Sequence, residues 1–177
     1  MKVTLIKKPC EGDWFEVMRR ALITVGKKPV RFPVTEWRQK ILDARHSPIR
    51  YLTYSFLFEG IPSNTATHLC RHVHAQPYVG SLRNDRQEKM DGDAARRDTP
   101  VDMILDVNAE ELQVIANKRL CGQAAEMTRE AVRRMCVAVQ EAEPELEWHK
   151  RLVPMCVYHG GVCHEIYPCG GVNAEKA

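Results

Sequence analysis

The sequence runs to 177 residues with 44% hydrophobic content, enough for one compact domain with a core and too little for two. Its 26 Lys and Arg against 23 Asp and Glu leave a net charge of +3, too weak a field to gather nucleic acid or an anionic membrane; no DNA partner is expected, and any anion site must be local. No apolar run approaches the about eighteen residues of a membrane span, and MKVTLIKKPC is too weakly apolar for a signal peptide, so cytoplasm is the expected location; seven cysteines without a small-domain framework suit reduced thiols there.

In chain order, VTLI near the start reads as a short strand, and DWFEVMRRALITVG spaces its apolar residues as a helix does, up to a glycine stop. TEWRQKILDARH opens on Thr35 as a candidate cap and continues in helix formers. Arg50 to Phe58, RYLTYSFLF, is aromatic and β-branched and reads as a buried strand closed by Glu59 and Gly60. Pro62 and Ser63 open a helix through SNTATHLCRH that delivers Arg71 and His72 at its end. Asn84 to Pro100 is polar and aperiodic and reads as a surface loop. VDMILDV predicts a further strand, and Ala109 to about Ala142 a single long helix ended by EAEPELE. No repeat or linker divides the chain. The expected fold is α/β of the α+β type: one domain over residues 1–150 with a central mixed or antiparallel sheet, and residues 151–177 as a Cys- and Gly-rich tail packed on it.

Two features carry chemistry. On the predicted long helix, Arg119 falls on the stripe of Leu112, Ile115 and Ala116, with Gln123 and Glu126 continuing the line. A guanidinium keeps its charge, so it must meet a carboxylate such as Glu126, reach a bound anion, or snorkel to water. The second feature is THLCRHVHAQPYVGSLRNDR, residues 67–86, with three histidines, three arginines and one serine in twenty positions. Arginine forks match phosphate oxygens in pairs and serine adds a compact donor, so a phosphorylated small molecule fits the inventory. Neither a G-x-x-x-x-G-K-[ST] loop nor a strand-linked G-x-G-x-x-G is present. A metal held by His68, His72 and His74 is the alternative, although no acidic partner of suitable spacing accompanies them.

Arg71-His72, Ser81 nine positions after His72, and Arg83 resemble the R-H-R-x7-S-x-R signature of the flavin-dependent thymidylate synthases. YSFLFEGIP at 54–62 is similar to that family's F-T-F-x-I-x-G-[VI]-S strand, and HSP at 46–48 to its H-x-S/T-P. DVNAEELQVIANKRLCGQAAEMTRE resembles its T-x-N-A-R-x-L…R-x-x-x-x-A-Q-x-E-I-R segment. The resemblance covers about residues 40–140, with the blocks in order. It implies a homotetramer with FAD at inter-subunit sites, methylating C5 of dUMP to give dTMP with methylenetetrahydrofolate as carbon donor and NADPH as reductant. By position it implies His46, Ser47, Arg71, His72 and Asn108 at the flavin. Ser81, Arg83 and Arg119 would hold the nucleotide, with Arg96 as a further phosphate ligand because Arg96 to Pro100 resembles the family's A-R-x-x-L-P, and His68 stands where a glutamine normally contacts it. Ser81 and Arg119 are the catalytic candidates, since enolate character at uracil O4 needs donors and positive charge, and positioning is the safer role for Ser81.

The chain also departs from that pattern. Val73 replaces the third signature residue, Gln76 to Val79 replace the inner S-x-N-E, and the stretch between Arg83 and Arg96 is short for the family. A uridylate other than dUMP, a 5-hydroxymethyl product, or a non-catalytic relative that binds a nucleotide or RNA are the alternatives these departures leave open. The tail sets Cys156, Cys163 and Cys169 among glycines and histidines, a set that suits either a tetrahedral zinc, making a zinc-stabilised structural protein a further alternative, or free thiols packed in the tail.

Overall fold

The computed structural model describes residues 1–86 and 94–170. Four strands form one antiparallel sheet: β1 (Lys2–Lys7), β2 (Thr53–Pro62), β3 (Ala75–Val79) and β4 (Pro100–Asn108), in spatial order β1-β2-β4-β3. The central pair is in register Thr53↔Asn108 through Phe56↔Leu105 to Phe58↔Met103. A bulge then bends β2 at Gly60, whose φ of +66° suits glycine and whose amide donates to Asp102 Oδ1 at 2.8 Å. Alternation along β4 buries Val101, Met103, Leu105 and Val107 on one face, against Tyr54, Phe56 and Phe58 of β2. The opposite face carries Thr4, Leu57, Ile104 and Tyr78 in one row and is left partly open.

Helices cover the buried face. α1 (Glu11–Ile23) and α2 (Thr35–Asp43) precede the Ser47–Tyr51 turn that feeds β2, and α3 (Ser63–Cys70) follows β2 directly. The Ala109–Ala142 segment is two helices instead of one: α4 (Ala109–Arg119) and α5 (Glu126–Ala142), separated by a turn. Local composition favours continuity, but Arg129 Nη1 reaches back to the carbonyls of Gly122 and Ala124 at 2.8 Å each, satisfying groups that a straight helix would bond internally. Gly122 is also pressed by the tail, since a Cβ there would lie 2.9 Å from Cys169 Sγ. α5 is amphipathic, burying Thr128, Ala131, Val132, Met135 and Val139 at helical spacing. α4 is central and buries polar residues among its apolar ones: Gln113 bonds Leu42 O and Arg45, and Asn117 bonds Val153 O at 2.7 Å and Arg45. A short last helix, α6 (Met155–Tyr158), packs on α4.

Three other expectations change. Val34 caps α2 and Thr35 is its first helical residue. Arg50 and Tyr51 belong to the turn before β2. The segment that passed without assignment, Ala75–Val79, is an edge strand, tolerating Pro77 because only β4 flanks it. Residues 84–86 and 94–99 are loop, as expected; the middle of the predicted 84–100 loop and the end of the tail lie outside the described residues. No helix among the described residues is long and apolar enough to cross a membrane.

Candidate functional site

The site is built where α3 ends against the C-terminus of α4. Arg71 caps the C-terminus of α3, and His72 follows buried, its side chain 8% exposed. His72 Nδ1 lies 2.9 Å from Glu111 Oε1, in the first turn of α4, and its Nε2 accepts from Arg119 Nε at 3.0 Å. Arg119 Nη2 donates to His68 O at 3.0 Å, while His68 Nδ1 lies 2.9 Å from Thr128 Oγ1 of α5. Glu126 plays no part in holding Arg119 through any described bond. The guanidinium is held by a ring nitrogen and a carbonyl, so its charge is not cancelled. Burial, and then the nearby Arg71 charge, pull its pKa below the ordinary arginine value.

Two cavities open around this cluster. One of about 410 Å³ is lined by Ser63, Asn64, Thr67, His68, Arg71 and Arg97. The other, about 270 Å³, is bounded by His72, Arg119, Gln123 and Glu165 among others. The first depends on a clip between the loop before β4 and the start of α3: Ser63 N donates to Thr99 O at 3.0 Å, Asn64 N to Arg97 O at 2.9 Å and Ser63 Oγ to Arg97 O at 2.8 Å. With no Ser, Thr, Asn or Asp as its N-cap, α3 uses those carbonyls to satisfy its first amides. The clip brings Arg97 to the cavity. Arg96 is exposed beside Asp98, at 3.4 Å. In the Arg96-Arg97 doublet the sequence motif pointed to the first arginine and the turn presents the second.

The remaining expected residues divide. His68, Arg71, His72 and Arg119 come together. Arg83 sits on the loop after β3 and forks onto Asp85 at 2.8 and 2.9 Å, both exposed. Ser81 Oγ accepts the Arg83 amide at 3.2 Å, a local turn that holds the loop in shape. Asn108 caps α4, accepting from Glu111 N at 2.8 Å, which commits its oxygen to the helix. His46 and Ser47 are exposed on the turn leading into β2, whose last residue, Leu52, accepts from Ala109 N at 2.9 Å. Glu111, Arg97, Asn64 and Thr67 were not foreseen: Glu111 looks like an ordinary first-turn acid, and only the packing of α3 on α4 sets it against His72.

Metal binding is a correction. Among the described residues, no three His, Cys, Asp or Glu side chains are placed to hold an ion. Both ring nitrogens of His72 are engaged with Glu111 and Arg119, and His68 Nδ1 with Thr128, so the His68, His72, His74 alternative lacks His72 as a ligand. Cys156, Cys163 and Cys169 line a cavity of about 270 Å³ with Cys121, His159 and His164. Packing of that tail against the α4–α5 turn, with Gln123 Nε2 donating to Tyr167 O at 2.7 Å, accounts for their proximity without an ion.

No protein-family model matches the sequence, and no curated protein matches it either. The fold is similar to that of flavin-dependent thymidylate synthases and of a UMP/dUMP methylase. The structure is similar to thymidylate synthase X from Helicobacter pylori, solved with FAD and dUMP, at TM-score 0.66 and 15% identity over 82% of this chain and 96% of that one. It is similar also to the UMP/dUMP methylase PolB from Streptomyces cacaoi, bound to 5-bromo-dUMP, at TM-score 0.65 and 12% identity over 86% and 96% of the two chains.

Proposed function

We propose that this chain binds a uridine monophosphate, dUMP first, and alkylates uracil C5. The carrying observation is that Arg119 and Arg71 lie close enough for their charges to interact and each borders its own cavity, neither guanidinium having a carboxylate partner among the described residues, on a fold shared with nucleotide methylases. Arg71 and Arg97 suit the phosphate, as forked donors beside the hydroxyls of Ser63 and Thr67. Arg119 suits the uracil edge, where positive charge stabilises the enolate character that develops at O4 when C6 is attacked. Arg83 and Ser81, on an exposed loop, serve as positioning groups at a site completed by another copy, in a homotetramer.

The residues fit a flavin in part. Exposed His46 and Ser47 are free to hold its polar edges, whereas Arg71 is assigned to the phosphate, His72 and the Asn108 oxygen are engaged within the chain, and Val73, 85% exposed, offers no donor. FAD, when bound, supplies the reducing equivalents for a one-carbon unit carried by methylenetetrahydrofolate, with NADPH as the source of reductant. That partial fit favours a second reading, a nucleotide binder without flavin. Titration with dUMP and UMP, with visible spectra taken after FAD is added, separates the two. A flavin spectrum that bleaches with NADPH supports the methylase; dUMP binding by a colourless protein supports the binder; no nucleotide binding defeats both.

A further inference from the structure

We infer that Glu111 is a positioning residue that locks His72 in its Nδ1–H tautomer and so holds Arg119 in place without neutralising it. A guanidinium only donates, so His72 Nε2, 3.0 Å from Arg119 Nε, must present a lone pair. An imidazole with a bare Nε2 carries its proton on Nδ1, which faces the acceptor oxygen Glu111 Oε1 at 2.9 Å. An imidazolium would set an N–H against an N–H at Arg119. The carboxylate itself sits in the first turn of α4, where the helix dipole favours negative charge.

The order carboxylate, imidazole, guanidinium separates functions that a direct ion pair would merge. Glu111 placed against Arg119 would consume its charge; with His72 between them, the arginine receives a fixed neutral acceptor and retains a full positive charge toward the cavity. The imidazole and the carboxylate are nearly dry, 8% and 6% exposed, so water does not readily substitute for either. The role toward a ligand rests on the proposed nucleotide site; the tautomer does not.

The test is ¹⁵N-histidine NMR of the full chain at neutral pH, joined to a double-mutant cycle on dUMP affinity. The wild-type protein should show a pyrrole-type, slowly exchanging Nδ1–H and an unprotonated Nε2 at His72. Glu111→Gln, whose amide can present either a donor or an acceptor, should release that preference and weaken dUMP binding about tenfold, as loss of an outer orienting partner does. In a His72→Ala background the same change should cost nothing further. An Nε2–H or doubly protonated ring in the wild type overturns the inference, as does an undiminished Glu111→Gln penalty without His72. A wild-type chain that bound no dUMP would instead defeat the proposed function, and the NMR result would still decide the tautomer.

Discussion

Replacing Arg119 with alanine removes a guanidinium that His72 Nε2 and His68 O hold but no carboxylate neutralises. Truncating one member of a buried charged pair costs about 2–5 kcal/mol of binding, and Arg119 is only half-buried, so solvent screening places it at the low end, about 2–3 kcal/mol. At about 1.4 kcal/mol per decade that is a loss of roughly 30- to 150-fold in dUMP affinity. Calorimetric titration at fixed ionic strength measures it, with thermal unfolding as the control. The two residues whose acceptors are left behind, His72 and His68, each border a cavity open to water, so the unfolding midpoint should move little. Affinity equal to the wild type in Arg119→Ala, and again in Arg71→Ala, would refute the assignment of this cluster to the nucleotide.

Burial pushes the Glu143 carboxyl above its ordinary range, where it accepts from Tyr54 Oη at 2.8 Å and Trp148 Nε1 at 3.2 Å. The folded state then binds the proton more tightly than the unfolded one, so stability falls as pH rises from the unfolded value through the folded one. Denaturant titrations should show Glu143→Gln gaining on the wild type over that interval; a constant difference would mean the carboxyl is not perturbed. Glu11 has the opposite sign: the Arg38 guanidinium lowers it, so Glu11→Gln should cost stability above the ordinary carboxylate range and nothing in acid, as read by thermal melts across pH. Met135→Ala, in the fully buried stripe of α5, should destabilise by about 2–5 kcal/mol in urea unfolding, and a loss under 1 kcal/mol would mean the helix packs elsewhere. Gly122→Ala must displace Cys169, so alkylation of Cys121 and Cys169 should quicken while the core's unfolding midpoint holds; unchanged alkylation would place the tail away from the turn.

Sequence patterns revealed most of the scaffold. β2 and β4 were legible because aromatic and β-branched residues alternate along them, and the start of α3 because Pro62 and Ser63 mark it. β3 was not, since five residues containing a proline carry no period strong enough to separate an edge strand from a loop. The α4–α5 break was hidden for a different reason: Ala124, Ala125 and Glu126 are good helix formers, and the interruption is set by tertiary contacts from Arg129 and Cys169. The inward-facing Arg119 was readable from spacing alone, whereas its partners were not. Glu111 meets His72 across 39 residues of chain, and Arg97 reaches its cavity through the clip on α3, registers that no local pattern encodes.

Catalysis is tested most directly by incubating the protein with FAD, NADPH, methylenetetrahydrofolate and dUMP, then measuring the mass of the recovered nucleotide. The account predicts a product heavier by one CH2 unit, formed in amounts exceeding the enzyme and lost in Arg119→Ala. An unchanged nucleotide recovered from protein saturated with both dUMP and flavin would contradict it.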